Sequence, residues 1–276
     1  MHRLQIVFLI TILTSIAACT PTKTTTPSQT VLVAERGYGA SSVQKLFNEN
    51  TLEAVKNALK KVGGVEVDVQ LSKSGTIWLT NDTQITLCTG KRHCIPDLTD
   101  EQIQSSKKCN PKLQNLITLN NLLEYTMSTP IKEMLFIDVM NYFPESCVNC
   151  SPKKIQKYAG NIANKLIEEI GDYPEGASYS VLSSNKYVLD IIRFKALNIS
   201  TYLVGNKEFA RLTNEAITHE FTGVAYNGTT AVPTETECRT AQVNGLSLYC
   251  FNSSDSEALK NSNDCRPKFI AVNLSN

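Results

Sequence analysis

The sequence predicts an α/β fold, an eight-stranded parallel (β/α)8 barrel in a single domain. Three observations lead there. Apolar strand-like runs alternate with helical patterns over most of the 276 residues, the order that builds a parallel sheet covered by helices. Residues 72–75 are too few for a crossover, so runs 65–71 and 76–80 should form an antiparallel hairpin; setting one hairpin strand aside leaves eight parallel candidates of nine. No glycine-rich phosphate loop follows the first strand, which argues against an open doubly wound sheet, and no internal repeat or second domain is visible.

In chain order, residues 1–18 have the layout of a signal peptide. Arg3 precedes the apolar run from Ile6 to Leu13, which is too short to span a bilayer. Ile16-Ala17-Ala18-Cys19 resembles the lipobox of bacterial lipoproteins, which makes Cys19 the expected lipidation site. Residues 19–30 are then a lipidated, Thr- and Pro-rich tether, and the barrel occupies 31–276. The expected location is the bacterial cell envelope, on its periplasmic or extracellular side, held to the membrane by the lipid anchor.

The first strand is Val31–Ala34. In the helix expected at 51–62, Asn50 is placed to cap the N-terminus and Glu53 falls at the capping-box position. Leu52, Val55, Leu59 and Val62 make one apolar stripe along it. The hairpin 65–71 and 76–80 follows, then residues 88–116, whose low apolar density suggests an elaborated loop above the barrel. Further strands are expected at 134–140, 178–182, 200–204, 221–226, 246–251 and 269–273. Helices are expected at 154–170, 186–197, 207–212 and 256–260.

Charge narrows the function classes. With 27 Lys+Arg against 26 Asp+Glu, the balance gives no support for nucleic-acid binding or for bulk attraction to anionic membranes. Beyond Cys19 the chain has eight cysteines: Cys88, Cys94, Cys109, Cys147, Cys150, Cys238, Cys250 and Cys265. An even count in an exported chain points to disulfides, here expected to staple loops within each region.

The most informative stretch is GVEVDVQLSKSGTIWLTND, residues 64–82. Strand side chains alternate, so Glu66 and Asp68 share one face while Val65, Val67 and Val69 share the other. Two neighbouring acids on a buried strand repel each other and are costly to bury ionised. A divalent cation removes both problems, and hard carboxylate oxygens suit Mg²⁺ or Ca²⁺. In a barrel, function gathers where strands end at the C-terminal face. The polar residues there are Glu35 and Arg36 after the first strand, Glu66 and Asp68, Asn81 and Asp82 at the hairpin end, and Asp138 in LFIDVM.

These residues form a pattern: Glu35-Arg36-Gly37, Glu49-Asn50-Thr51, Glu66-Val67-Asp68 continuing through Gln70 to Gly75, Asn81-Asp82, and Asp138-Val139-Met140. The chain thereby resembles the glycerophosphodiester phosphodiesterase family, metal-dependent enzymes on a distorted (β/α)8 TIM barrel. The family's corresponding motifs are His-Arg-Gly, Glu-Asn-Thr, Glu-x-Asp, His-Asp and Glu-x-Lys. The resemblance implies a divalent cation held by Glu66, Asp68 and Asp138. It also implies that Arg36 binds a phosphate oxygen of a glycerophosphodiester or phospholipid headgroup.

The departures fall on the acid–base groups. Glu35 and Asn81 stand where the family has its two histidines, Asp138 replaces a glutamate, and Met140 replaces the lysine. Glu35 remains a candidate base and Asp82 a candidate proton donor if burial raises its pKa. The resemblance therefore implies a phosphoric diester hydrolase-like protein, or alternatively a non-catalytic barrel that binds a cation and a phosphate-bearing ligand.

Overall fold

The computed structural model describes residues 30–37, 48–128, 134–139, 147, 151–171, 178–206, 208–251 and 265–272. The expected signal, the lipobox and the tether up to residue 29, the helix at 256–260, Met140 and Cys150 lie outside these residues. The barrel strands are β1 (Val31–Ala34), β2 (Gly64–Leu71), β6 (Met134–Val139), β7 (Ser178–Ser183), β8 (Ser200–Gly205), β9 (Gly223–Asn227), β10 (Ser247–Phe251) and β11 (Phe269–Val272). They run parallel in that order around the ring, which closes because β1 pairs with both β11 and β2. The short link at 72–75 does produce a hairpin: β3 (Ile77–Leu79) pairs antiparallel with the far end of β2, Val69 facing Leu79.

Alternation sorts each strand's side chains between two cores. Val33, Phe136, Leu182, Tyr202, Tyr249 and Phe269 fill the barrel interior. Val65, Val67 and Val69 point outward and pack with Leu135, Ile137 and Val139 against the helical layer. Full burial of each such valine contributes about 1.5–3 kcal/mol, so reversing the face of β2 would be strongly opposed. The helices are α1 (Leu52–Ala58), α2 (Asp100–Ser106), α3 (Leu119–Ser128), α4 (Pro152–Gly171), α5 (Lys186–Lys195), α6 (Phe209–Thr218) and α7 (Glu235–Val243). None among the described residues is long and apolar enough to cross a membrane.

Several local expectations are corrected. The cap of α1 is Thr51, whose hydroxyl accepts from Ala54 N–H at 3.3 Å; Asn50 is engaged elsewhere, and the helix stops at Ala58. Helices α2, α3 and α7 were not anticipated, and α6 runs beyond the expected 212 to Thr218. Residues 88–116 are more than a loop. Together with β4 (Gln84–Thr86), β5 (Arg92–Cys94) and α2 they bury a small core of their own, including Trp78, Ile85, Ile95, Leu98, Ile103 and Leu113. Asp100 anchors this unit to the hairpin, accepting from Ser72 Oγ at 2.6 Å, Thr76 Oγ1 at 2.5 Å and Trp78 Nε1 at 3.0 Å. Burial alone would raise the Asp100 carboxyl, but these three donors hold it below the usual range.

Among the described residues the disulfides are Cys88–Cys109, Cys94–Cys147 and Cys238–Cys265. The first and last staple neighbouring segments, as expected. Cys94–Cys147 spans 53 residues and ties the β4–β5 hairpin to the segment after β6. Gln84 lies beside both sulfurs of that bridge.

Candidate metal centre

The register between β2 and β6 builds the site. Asp68 is paired directly with Asp138, and Glu66 with Phe136. Residues opposite one another on adjacent strands project from the same face, so Glu66, Asp68 and Asp138 all point into the barrel mouth. One oxygen from each can be chosen so that all lie within 4.8 Å of one another.

The first βα turn brings up the cation side chain. After β1 the backbone makes a tight turn through Glu35, Arg36 and Gly37, with Arg36 at φ 51° and Gly37 at φ 69°. Arg36 is a non-glycine residue in the left-handed region, at a cost of roughly 1–2 kcal/mol. The turn is held by Arg36 N–H donating to Glu66 Oε2 at 2.9 Å and Arg36 C=O accepting from Asn50 N–H at 3.0 Å. The guanidinium then meets Asp68 Oδ2 through Nε at 3.0 Å and Glu49 Oε2 through Nη1 at 3.2 Å.

Asn50, also left-handed at φ 57°, explains why Thr51 is the cap. Its amide grips Asp68 twice: Nδ2 donates to Oδ2 at 3.1 Å, and Oδ1 accepts from Asp68 N–H at 2.9 Å. Glu49 and Asn50 are thus site residues to which sequence reasoning gave no separate role. Their signal was the Glu-Asn-Thr motif itself.

The electrostatics favour a cation. Three carboxylates face one guanidinium, and a pair of unit charges 4.8 Å apart interacts by about 3 kcal/mol at an effective dielectric constant of about 20. Arg36 is shared between Asp68 and Glu49, so one arginine cannot neutralise the three converging acids, and the negative charge left over favours a bound cation. Burial, then repulsion from Asp68 and Asp138, holds the Glu66 carboxyl well above the usual range. Burial and Asp68 do the same to Asp138. Burial pushes Asp68 up to about 6, against the opposing pull of Arg36 and Asn50. Glu35 adds repulsion to all three. Glu66 Oε1 is buried with no hydrogen-bond partner among the described residues. An orphaned carboxylate oxygen in an all-oxygen donor set fits Mg²⁺ or Ca²⁺.

A pH dependence follows. The Asp68 pKa rises from an ordinary 3.8 to about 6 in the folded protein, so the native state holds more protons than the unfolded chain between those values. For this group, stability of the cation-free protein falls as pH climbs from about 4 to about 6 and then levels. Cation binding needs the ionised carboxylates, so its stabilising effect grows with pH. The melting temperature with Mg²⁺ or Ca²⁺ minus that in EDTA is expected to widen between about pH 5 and about pH 8. A constant gap would exclude proton-linked binding.

The remaining expected site residues, and the two histidines among the described residues, are placed as follows. Glu35 stands at the rim beside Arg36. Thr80 N–H donates to the Asp68 carbonyl at 2.9 Å, which brings the Asn81-Asp82 segment alongside β2. Asn81 is half-buried. Asp82 is exposed and bonds its own backbone N–H to Thr80 Oγ1 at 3.1 Å. The burial that its expected donor role requires is not met, and Asp82 is not among the converging carboxylates. His93 pairs with Ile85 across the β4–β5 hairpin and shares that face, opposite to Cys94. His219 ends α6, where it bonds Asp190 at 2.9 Å and stacks on Phe221. Neither histidine joins the carboxylates.

Comparison with known proteins agrees with this fold. A family model described as the glycerophosphoryl diester phosphodiesterase family matches residues 36–267. Among solved structures, a Silicibacter pomeroyi DSS-3 protein assigned as a glycerophosphoryl diester phosphodiesterase superposes with TM-score 0.69 at 14% identity. The match covers 90% of this chain and 91% of that one. An Oleispira antarctica phosphodiesterase, solved with the product sn-glycerol-3-phosphate, gives 0.67 at 16% identity over 87% and 91%. A glycerophosphodiester phosphodiesterase from Parabacteroides distasonis ATCC 8503 gives 0.67 at 15% over 90% and 94%. No curated protein sequence matches the chain.

Proposed function

The chain belongs to the glycerophosphoryl diester phosphodiesterase family, and from that premise we propose that its barrel mouth binds Mg²⁺ or Ca²⁺ together with a glycerophosphodiester or related lipid headgroup and hydrolyses the diester slowly. The observation that carries this reading is the convergence of Glu66, Asp68 and Asp138 beside Arg36. When bound, the cation would polarise the phosphoryl group and offset charge on its oxygens. Glu66, Asp68 and Asp138 would hold it. Arg36 meets Asp68 and Glu49 through two of its nitrogens, and a guanidinium offers five donors, so it can also clamp a phosphate oxygen. Glu35 takes the proton of the attacking hydroxyl or water. Asn81 cannot protonate the leaving alkoxide, so that proton comes from solvent, and each missing acid–base group lowers the rate by roughly 10²–10⁴-fold.

A second reading, a barrel that binds without turnover, is favoured by the replacement of both family histidines and by the absence of any histidine from the converging group among the described residues. In either case we place the protein in the bacterial envelope, anchored through Cys19. Three disulfides support an oxidising compartment.

The test is turnover of glycerophosphocholine, glycerophosphoethanolamine and bis-p-nitrophenyl phosphate with Mg²⁺, Ca²⁺ or Mn²⁺, repeated in EDTA. Turnover that disappears in EDTA supports hydrolysis, and turnover that survives it overturns the metal mechanism. Cation-dependent thermal stabilisation without turnover assigns the second reading.

A further inference from the structure

Tyr249 lies on β10 inside the barrel and is 1% exposed. Its ring centroid is 5.0 Å from that of Phe136 and 6.3 Å from that of Phe269. Phe136 stands opposite Glu66 in the β2–β6 register, two residues before Asp138. The tyrosine ring therefore packs in the interior layer level with Glu66 and one step below Asp68 and Asp138. Its hydroxyl has no hydrogen-bond partner among the described residues, and neither has Glu66 Oε1. A phenol with an ordinary pKa of about 10 carries its proton at neutral pH, so the hydroxyl is available as a donor. A donor lacking an acceptor and an acceptor lacking a donor thus share one interior. Buried polar atoms left in that state call for an explanation, and ring packing alone would be served equally by phenylalanine.

We propose that Tyr249 is a positioning residue of the cation site: its hydroxyl donates to Glu66 through one water and fixes the oxygen that Glu66 turns to the cation. The inference rests on the cation-site reading above. Partners that orient a ligating side chain typically change metal affinity about 10–100-fold when removed.

The experiment titrates the full chain and its Tyr249→Phe variant with CaCl₂ and MgCl₂ by calorimetry, alongside melting curves in EDTA. Phenylalanine preserves the packing on Phe136 and removes only the hydroxyl. The expected result is cation affinity weaker by about 10-fold or more, with the cation-free melting temperature unchanged or raised. Equal affinities in the two proteins overturn the role of Tyr249 while leaving the cation site intact. A drop in the cation-free melting temperature alongside weaker binding assigns Tyr249 to packing and also overturns it. No binding by the wild-type chain overturns the cation-site reading itself.

Discussion

Replacing Asp68 with alanine is expected to abolish cation binding and any cation-dependent turnover, the largest single effect in the molecule. Asp68 is the hub of the site. It is 3% exposed, faces Asp138 across the strand pair, and holds both Arg36 and the Asn50 amide. Removing its carboxylate takes away one oxygen ligand and the anchor that keeps the guanidinium at the rim. Asp68→Asn gives a second readout, because it keeps the side chain's shape but loses its charge. Calorimetric titration should show affinity weakened by more than about 100-fold, the most that loss of a partner merely orienting a ligand typically costs, and the cation-induced rise in melting temperature should vanish. A variant that binds Ca²⁺ as the parent does would place the ion elsewhere and sink the three-carboxylate site.

Introducing Glu35→His and Asn81→His together is expected to raise hydrolysis of glycerophosphodiesters by roughly 10²–10⁴-fold. The two positions border the carboxylates from different elements. Glu35 belongs to the turn after β1, and Asn81 follows Thr80, whose N–H bonds the Asp68 carbonyl. Imidazoles there would titrate near neutrality, so one could accept a proton from the nucleophile and the other return one to the leaving oxygen. The rate should also acquire a bell-shaped pH profile that the parent lacks. Removing Glu35 eliminates a like charge felt by Glu66, Asp68 and Asp138, so cation affinity is expected to fall modestly in the same variant. If hydrolysis does not change while the cation still binds, the mouth does not orient a phosphodiester.

Much of the site was legible in the residues because the rule behind it is local. Alternation along GVEVDVQ assigns Glu66 and Asp68 to one face and three valines to the other, and the structure has the valines packed outward. The hairpin followed from link length alone. What was misread depended on distant partners. Asn50 looks like a helix cap until Asp68, 18 residues away, claims its amide. The low apolar density of 88–116 concealed a core, because Trp78 and Ile85, which help to fill it, lie outside that window. Asp82 was a candidate donor only if buried, and burial is a property of the surroundings.

By itself, then, the sequence determined the order of the barrel strands, the hairpin, the face shared by two acids and the family motifs, since each depends on backbone geometry within a few residues. The family motifs implied that Asp138 joins them, and tertiary structure decided the register by which it does. Asp68 and Asp138 come into register because β2 and β6 are neighbours in a closed ring. Ring closure is set by the packing of every strand together, which no short stretch of chain encodes.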